Sequence, residues 1–178
     1  SSSSVLTGSA ISTAPTPPTR DGYVFNGWFV ASSGGSAIRF PYTPTATSSF
    51  TLYAQWSANT LTVSYDTQGG STVVNGSVKA GANILVNPGT PTKSGFTFAG
   101  WFTASTGGSA LTFPYTHNQT ANFTLYGQWN VNTYTVTYRA NGATSGDVAK
   151  TTDTYTVGGP GITLLTVGLL VKTGYNFS

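Results

Sequence analysis

The chain has 178 residues, only 6% of them charged, and seven Lys and Arg against four acidic residues give it a formal net charge of +3. All four acids are Asp, and Glu, Cys and Met are absent, so disulfides and thiol chemistry are excluded. The cations (Arg20, Arg39, Lys79, Lys93, Arg139, Lys150 and Lys172) stand singly, with no basic run to follow a phosphate backbone, which argues against nucleic acid as a partner.

Such a chain stays soluble through hydroxyls and amides, which favours an exposed structural protein outside the cell over a cytosolic enzyme. No signal peptide shows at Ser1–Ser4, which lacks a basic start and an apolar core. Helical periodicity is hard to find; apolar residues alternate instead, so the expected class is mainly β with little or no helix.

In chain order, Pro15, Pro17 and Pro18 mark an ordered loop, because proline removes ladder donors. Gly22–Phe29 and Phe50–Trp56 read as strands. Leu61–Tyr65 places Leu, Val and Tyr on one face, Thr67–Gly70 supplies a turn, and a returning strand is expected around Thr72–Lys79. A second proline loop holds Pro88 and Pro91, with one short helical turn expected at Gly81–Val86. Phe96–Phe102 is the next strand and Thr106–Ser109 a turn. Leu111–Phe113 is a short strand and Phe123–Trp129 a closing one. Asn130–Asn132 links this unit to the next, and so short a link predicts an extended array of units in fixed relation. Tyr134–Tyr138 with Ala140–Gly142 repeats the opening strand and turn. The longest apolar stretch, Gly161–Val171, is too short to cross a bilayer and reads as a buried or pairing strand, so no membrane insertion is expected.

These elements recur at an offset of 73 residues, from Val5/Val78 through Tyr65/Tyr138, with roughly half of the aligned positions identical. The copies divide the chain into an incomplete first repeat at 1–57 without its opening hairpin, a complete one at 58–130, and an incomplete third at 131–178. In the third copy Gly174 follows Tyr138 by 36 residues, whereas Gly95 follows Tyr65 by 30, so about six extra residues are expected near Thr156–Val171. A unit of about 70 residues is marginal alone. The paired tryptophans, Trp28 with Trp56 and Trp101 with Trp129, are the expected core anchors.

The signature is Pro-Thr-(Arg/Lys)-x-Gly-(Tyr/Phe)-x-Phe-x-Gly-Trp-Phe at Pro18–Phe29 and Pro91–Phe102, closed by Thr-Leu-Tyr-x-Gln-Trp at Thr51–Trp56 and Thr124–Trp129. It resembles the Listeria–Bacteroides repeat family. The resemblance implies tandem β-grasp-like units on a bacterial surface or secreted protein, without enzymatic activity, cofactor or catalytic residues. This chain departs from the family pattern in its low acidic and lysine content and in its longer third copy.

No residue set in the sequence points to catalysis or to a metal site. His117 is the single histidine, and the first copy has Pro44 in its place; it reads as a loop residue facing water. The four aspartates have neither EF-hand nor paired spacing, and the serines lack an elbow or a base. Tyr42 and Tyr115 are candidate exposed contacts for a glycan or a receptor, where repetition would add avidity.

The chain starts and stops inside a repeat, and the two partial copies complement each other. One expectation is head-to-tail self-association by strand addition, with Ile162, Leu164, Val167, Leu169 and Val171 as the exchanging segment. The other is a piece of a longer repeat protein. Surface proteins or glycans are the remaining candidate partners.

Overall fold

Alternation and turn chemistry produce ten strands and no helix among the residues the computed structural model describes, namely residue 6 and residues 8–81, 83–84, 86–144, 152–162 and 171–174. In order the strands are β1 (Tyr23–Phe29), β2 (Tyr53–Ala58), β3 (Thr60–Asp66), β4 (Gly76–Lys79) and β5 (Asn83–Ile84). Then come β6 (Phe96–Phe102), β7 (Tyr115–Thr116), β8 (Phe123–Val131), β9 (Thr133–Thr137) and β10 (Thr152–Thr156). β1 pairs antiparallel with β2, β5 with β7 and β9 with β10, and a four-stranded sheet runs β4-β3-β8-β6.

The mainly-β expectation holds. β3 shows why: Leu61 and Val63 point inward and are buried, while Thr60 and Thr62 alternate outward.

The two closing pairs are built alike. Phe25 faces Trp56 and Phe98 faces Trp129, and in both pairs the register then slips, between Phe25 and Gly27 and between Phe98 and Gly100. This bulge has a packing consequence. Residues three apart in a regular strand point to opposite faces, but one extra residue returns them to the same face. Phe25 and Trp28 therefore meet edge to face at 5.6 Å, and Phe98 and Trp101 at 5.4 Å. The opposing Trp56 and Trp129 complete each cluster, at 5.5 and 5.2 Å from the phenylalanine. Gly27 and Gly100 make the bulge possible, with φ of +127° and +128° and an Ala side chain (Ala37, Ala110) pressed against each. A cis peptide follows at Phe40–Pro41 and again at Phe113–Pro114.

Three local expectations are corrected. Asn83–Ile84 within Gly81–Val86 is strand β5, not a helical turn, because its backbone pairs with β7. The short strand lies at Tyr115–Thr116 and not at Leu111–Phe113, where only the Leu111 N–H is tied, donating to the Trp101 carbonyl at 2.8 Å. The link between copies is a single residue, Asn132, since β8 runs to Val131; Asn59 plays the same part between β2 and β3.

The register also relocates most of the expected insertion. Thr60 faces Lys79, nineteen positions on, whereas Thr133 faces Thr156, twenty-three positions on. Four of the six extra residues therefore lie between β9 and β10.

The chain forms two compact units. The first comprises Ser1–Tyr65, Val74–Pro88 and Thr112–Leu125, and its buried core includes Phe29, Leu61, Val63, Ala80 and Leu125. The second comprises Asp66–Val73, Gly89–Leu111 and Tyr126–Ser178, with Trp101 and Phe102 at its centre.

Candidate functional site

The recurring signature residues turn out to serve the backbone. The Gln55 side-chain amide donates to the carbonyls of Ala31 (3.0 Å) and Gly34 (2.8 Å), and Gln128 donates to Ala104 (3.0 Å) and Gly107 (2.8 Å). Each glutamine thus clamps the Gly-Gly turn that follows β1 or β6, satisfying carbonyls that no strand partner reaches. The Trp101 indole N–H donates to the Gly89 carbonyl at 2.9 Å, and Trp129 donates to Thr67 at 2.8 Å. Lys93 sends its ammonium to the Gln68 carbonyl at 2.8 Å while lying 4.6 Å from the Phe96 ring centre; Arg20, its counterpart, lies 3.7 Å over Tyr23. The glutamines hold the turns, while Trp101, Trp129 and Lys93 tie loop carbonyls to the aromatic residues. Sequence reading found their spacing but not this role; the recurrence of Gln beside Trp was the available signal.

The candidate contact tyrosines are half-buried. Tyr42 bridges to Ile11 through its backbone and packs edge-on between Phe40 and Phe50, both at 6.5 Å. Tyr115 lies in β7, opposite Ile84. Of the proposed exchanging segment, Ile162 is half-buried, and Val171 is exposed with its carbonyl accepting from the Thr144 N–H at 2.7 Å. Leu164, Val167 and Leu169 lie outside the described residues.

His117 does not face water. It is 1% exposed, tilted against the Phe123 ring at 5.1 Å, and its Nδ1 accepts the Gln119 N–H at 3.2 Å. Its Nε2 is buried without a partner, and burial pushes the imidazole below its ordinary pKa. The flanking Thr, Asn and Gln had suggested a solvated loop; the ring is buried by a tertiary contact with the start of β8.

Equivalent positions in different copies differ in cover. Leu125 is fully buried, while its counterpart Leu52 is half-buried; Tyr53 is 41% exposed and Tyr126 only partly. In the third copy Tyr134 and Tyr155 face each other across β9–β10, stacked at 5.4 Å and 38% and 41% exposed, whereas Leu61 in the place of Tyr134 is buried. β2 has β1 as its one strand neighbour, and β9 and β10 have each other. Among the described residues the repeat therefore leaves a ladder edge uncovered at β2, with the rings of Tyr53, Tyr134 and Tyr155 partly exposed.

Chemically the described residues offer an open strand side at β2 and partly exposed aromatic rings. Among the described residues no three His, Cys, Asp or Glu side chains gather to hold a metal ion, and no helix is long and apolar enough to cross a membrane, which says nothing of a β-barrel.

The chain is 37% identical to internalin H of Listeria monocytogenes over 118 residues, 66% of this chain and 21% of that protein. It is also 37% identical over 144 residues, 81% of the chain, to a protein of Evansella cellulosilytica with a provisional membrane-protein name, again covering 21% of it. A second Evansella protein, provisionally named a Gly-rich membrane protein, is 36% identical over 135 residues, 76% of this chain and 15% of that protein. The chain thus spans between 15% and 21% of the length of these relatives. One family model matches it three times over, at residues 1–55, 62–128 and 134–178, and the chain belongs to the Listeria-Bacteroides repeat domain family.

Proposed function

We propose that this chain is a non-enzymatic structural and adhesive repeat array of an extracellular bacterial surface protein, and that copies associate head to tail by strand addition. The observation that carries the second part is the uncovered edge of β2. In the complete repeat the equivalent strand, β8, has β6 on one side and the opening strand β3 on the other. The hairpin β9–β10 has the form of β3–β4 and presents Tyr134 and Tyr155 where β3 and β4 carry the inward Leu61 and Val78. Added to β2 of another molecule, it would satisfy ladder donors and acceptors and cover Leu52 and Tyr53. Such a contact is heterologous and does not close, so it builds a filament. The names of the relatives, an internalin and two membrane proteins, support the surface location.

Light scattering across a concentration series, with negative-stain microscopy of the same samples, tests the assembly. The expected outcome is concentration-dependent growth into uniform fibres. A monodisperse monomer at every concentration overturns strand addition and leaves the array a spacer.

A second reading has support from the Phe40, Tyr42 and Phe50 cluster, in which Phe50 is 41% exposed. An open aromatic edge of this kind, with Tyr115 at the matching place in the next copy, suits a glycan or protein receptor held weakly and repeatedly. A glycan array probed with the pure chain discriminates: binding that Tyr42→Ala abolishes favours this reading, and no binding to any sugar disfavours it.

A further inference from the structure

We propose that His117 makes the joint between the first copy and the opening hairpin of the second acid-labile. The joint is a short chain of contacts. The Asn59 N–H donates to the Gly22 carbonyl at 2.8 Å, and the Ala80 N–H donates to the Asn59 carbonyl at 3.0 Å. Gly22, at φ +79°, leaves no room for a side chain, because a Cβ there would stand 3.0 Å from both Ala80 and Thr120. Tyr23 reaches the Ala80 carbonyl with its hydroxyl at 3.5 Å, and the Gly81 N–H donates to the Gln119 carbonyl at 3.4 Å. The loop 117–122 is therefore the seat on which the end of the hairpin and the start of β1 both rest.

His117 holds that seat through one atom. Its Nδ1 accepts the Gln119 N–H, so the ring proton must sit on Nε2, buried and unpaired. A second proton could go only to Nδ1. There it would face the Gln119 N–H, converting an accepted hydrogen bond into two opposed donors inside an apolar contact with Phe123. The ionisable groups on the surrounding elements are Arg20, Asp21 and Tyr23 at the start of β1, Lys79 at the end of β4, and Tyr115 on β7. Arg20 lies over Tyr23, Lys79 donates to the Thr60 hydroxyl at 2.7 Å, and neither imidazole nitrogen meets a carboxylate that would hold the cation. Protonation thus requires the loop to open, which releases Gln119 from Gly81 and Thr120 from Gly22. This device stands whether or not molecules associate, because every contact in it lies within one chain.

Amide hydrogen exchange read by NMR at pH 7.5, 6.5 and 5.5, corrected for the intrinsic rate, tests it. The amides of Gln119 and Gly81 should lose protection by about tenfold per pH unit below the ordinary imidazole range, until the folded-state pKa is reached. Amides of the β6–β8 ladder should keep theirs. His117→Gln, which retains an acceptor but does not titrate, should flatten the response. If that variant fails to fold, the ring titration of the unaltered protein decides alone. A His117 ring that titrates at or above the ordinary value, or unchanged Gln119 and Gly81 protection down to pH 5.5, overturns the proposal.

Discussion

Gly100 concentrates two demands in one position, directly after the extra residue of the bulge: a φ of +128° and an Ala110 methyl 3.0 Å from where its own Cβ would stand. Gly100→Ala should cost about 2–4 kcal/mol, combining backbone strain with overpacking. Adding Ala110→Gly should recover only the packing share, and urea denaturation of the single and double variants separates the two. Gln128 is a gentler case. Gln128→Ala removes two hydrogen bonds to exposed turn carbonyls and should cost about 1–2 kcal/mol, with lost exchange protection confined to residues 103–109. Tyr65 carries an alkaline signature, since burial raises its hydroxyl pKa above the ordinary value of 10.0. The unfolded chain then loses that proton first, so stability is full below pH 10 and falls as pH rises through the folded-state value. Tyr65→Phe should remove that part of the slope in a pH series of thermal melts. The Gly-Trp-Phe and Gln-Trp pairs were visible in the sequence as recurring letters. Their roles were not, because the bulge and the clamp join backbone groups more than twenty residues apart.

The aromatic cluster of each closing strand pair decides how firmly that element holds. Trp101 is buried beside Phe98 with its indole N–H satisfied by Gly89, whereas Trp28 is half-buried with a longer bond, 3.3 Å, to Pro15. Trp101→Ala should therefore destabilise by about 3–5 kcal/mol and Trp28→Ala by clearly less, as thermal or urea melts of the two variants would report. Strands with sustained alternation, such as Leu61–Tyr65 and Tyr134–Tyr138, are legible in the sequence because one face must be apolar for burial. The β5–β7 pair is not. Two residues are too few to show a period, and the stretch around Asn83–Ile84, ahead of Pro88, has no turn signal that separates a bridge from a helical turn. Burial of His117 escapes for a related reason: its polar neighbours describe the loop, while Phe123, which covers the ring, belongs to the next strand.

At the scale of the whole molecule the compact units do not coincide with the copies. The first compact unit contains β1 and β2 of the first copy together with β4 and nearly all of β3 from the second. The second unit joins β6 of the second copy to β9 and β10 of the third. A glycine marks each joint: Gly22 against Ala80, and Gly95, at φ +80°, against Val157. The backbone repeats the arrangement, with Asn59 N–H on the Gly22 carbonyl and Asn132 N–H on the Gly95 carbonyl at 2.9 Å. A side chain at Gly95 would run into Val157, which follows β10 directly, so Gly95→Val must displace the third hairpin before it disturbs anything else. Limited proteolysis should then cut within 133–157 many times faster than in the unaltered protein, while the β1–β2 segment stays resistant. Val157→Gly in the same chain opens the space and should restore part of that resistance, though not all, because a β-branched residue at a left-handed φ remains strained. Uniform loss of resistance along the chain would mean that the copies unfold together and that the joint at Gly95 is not a separable contact.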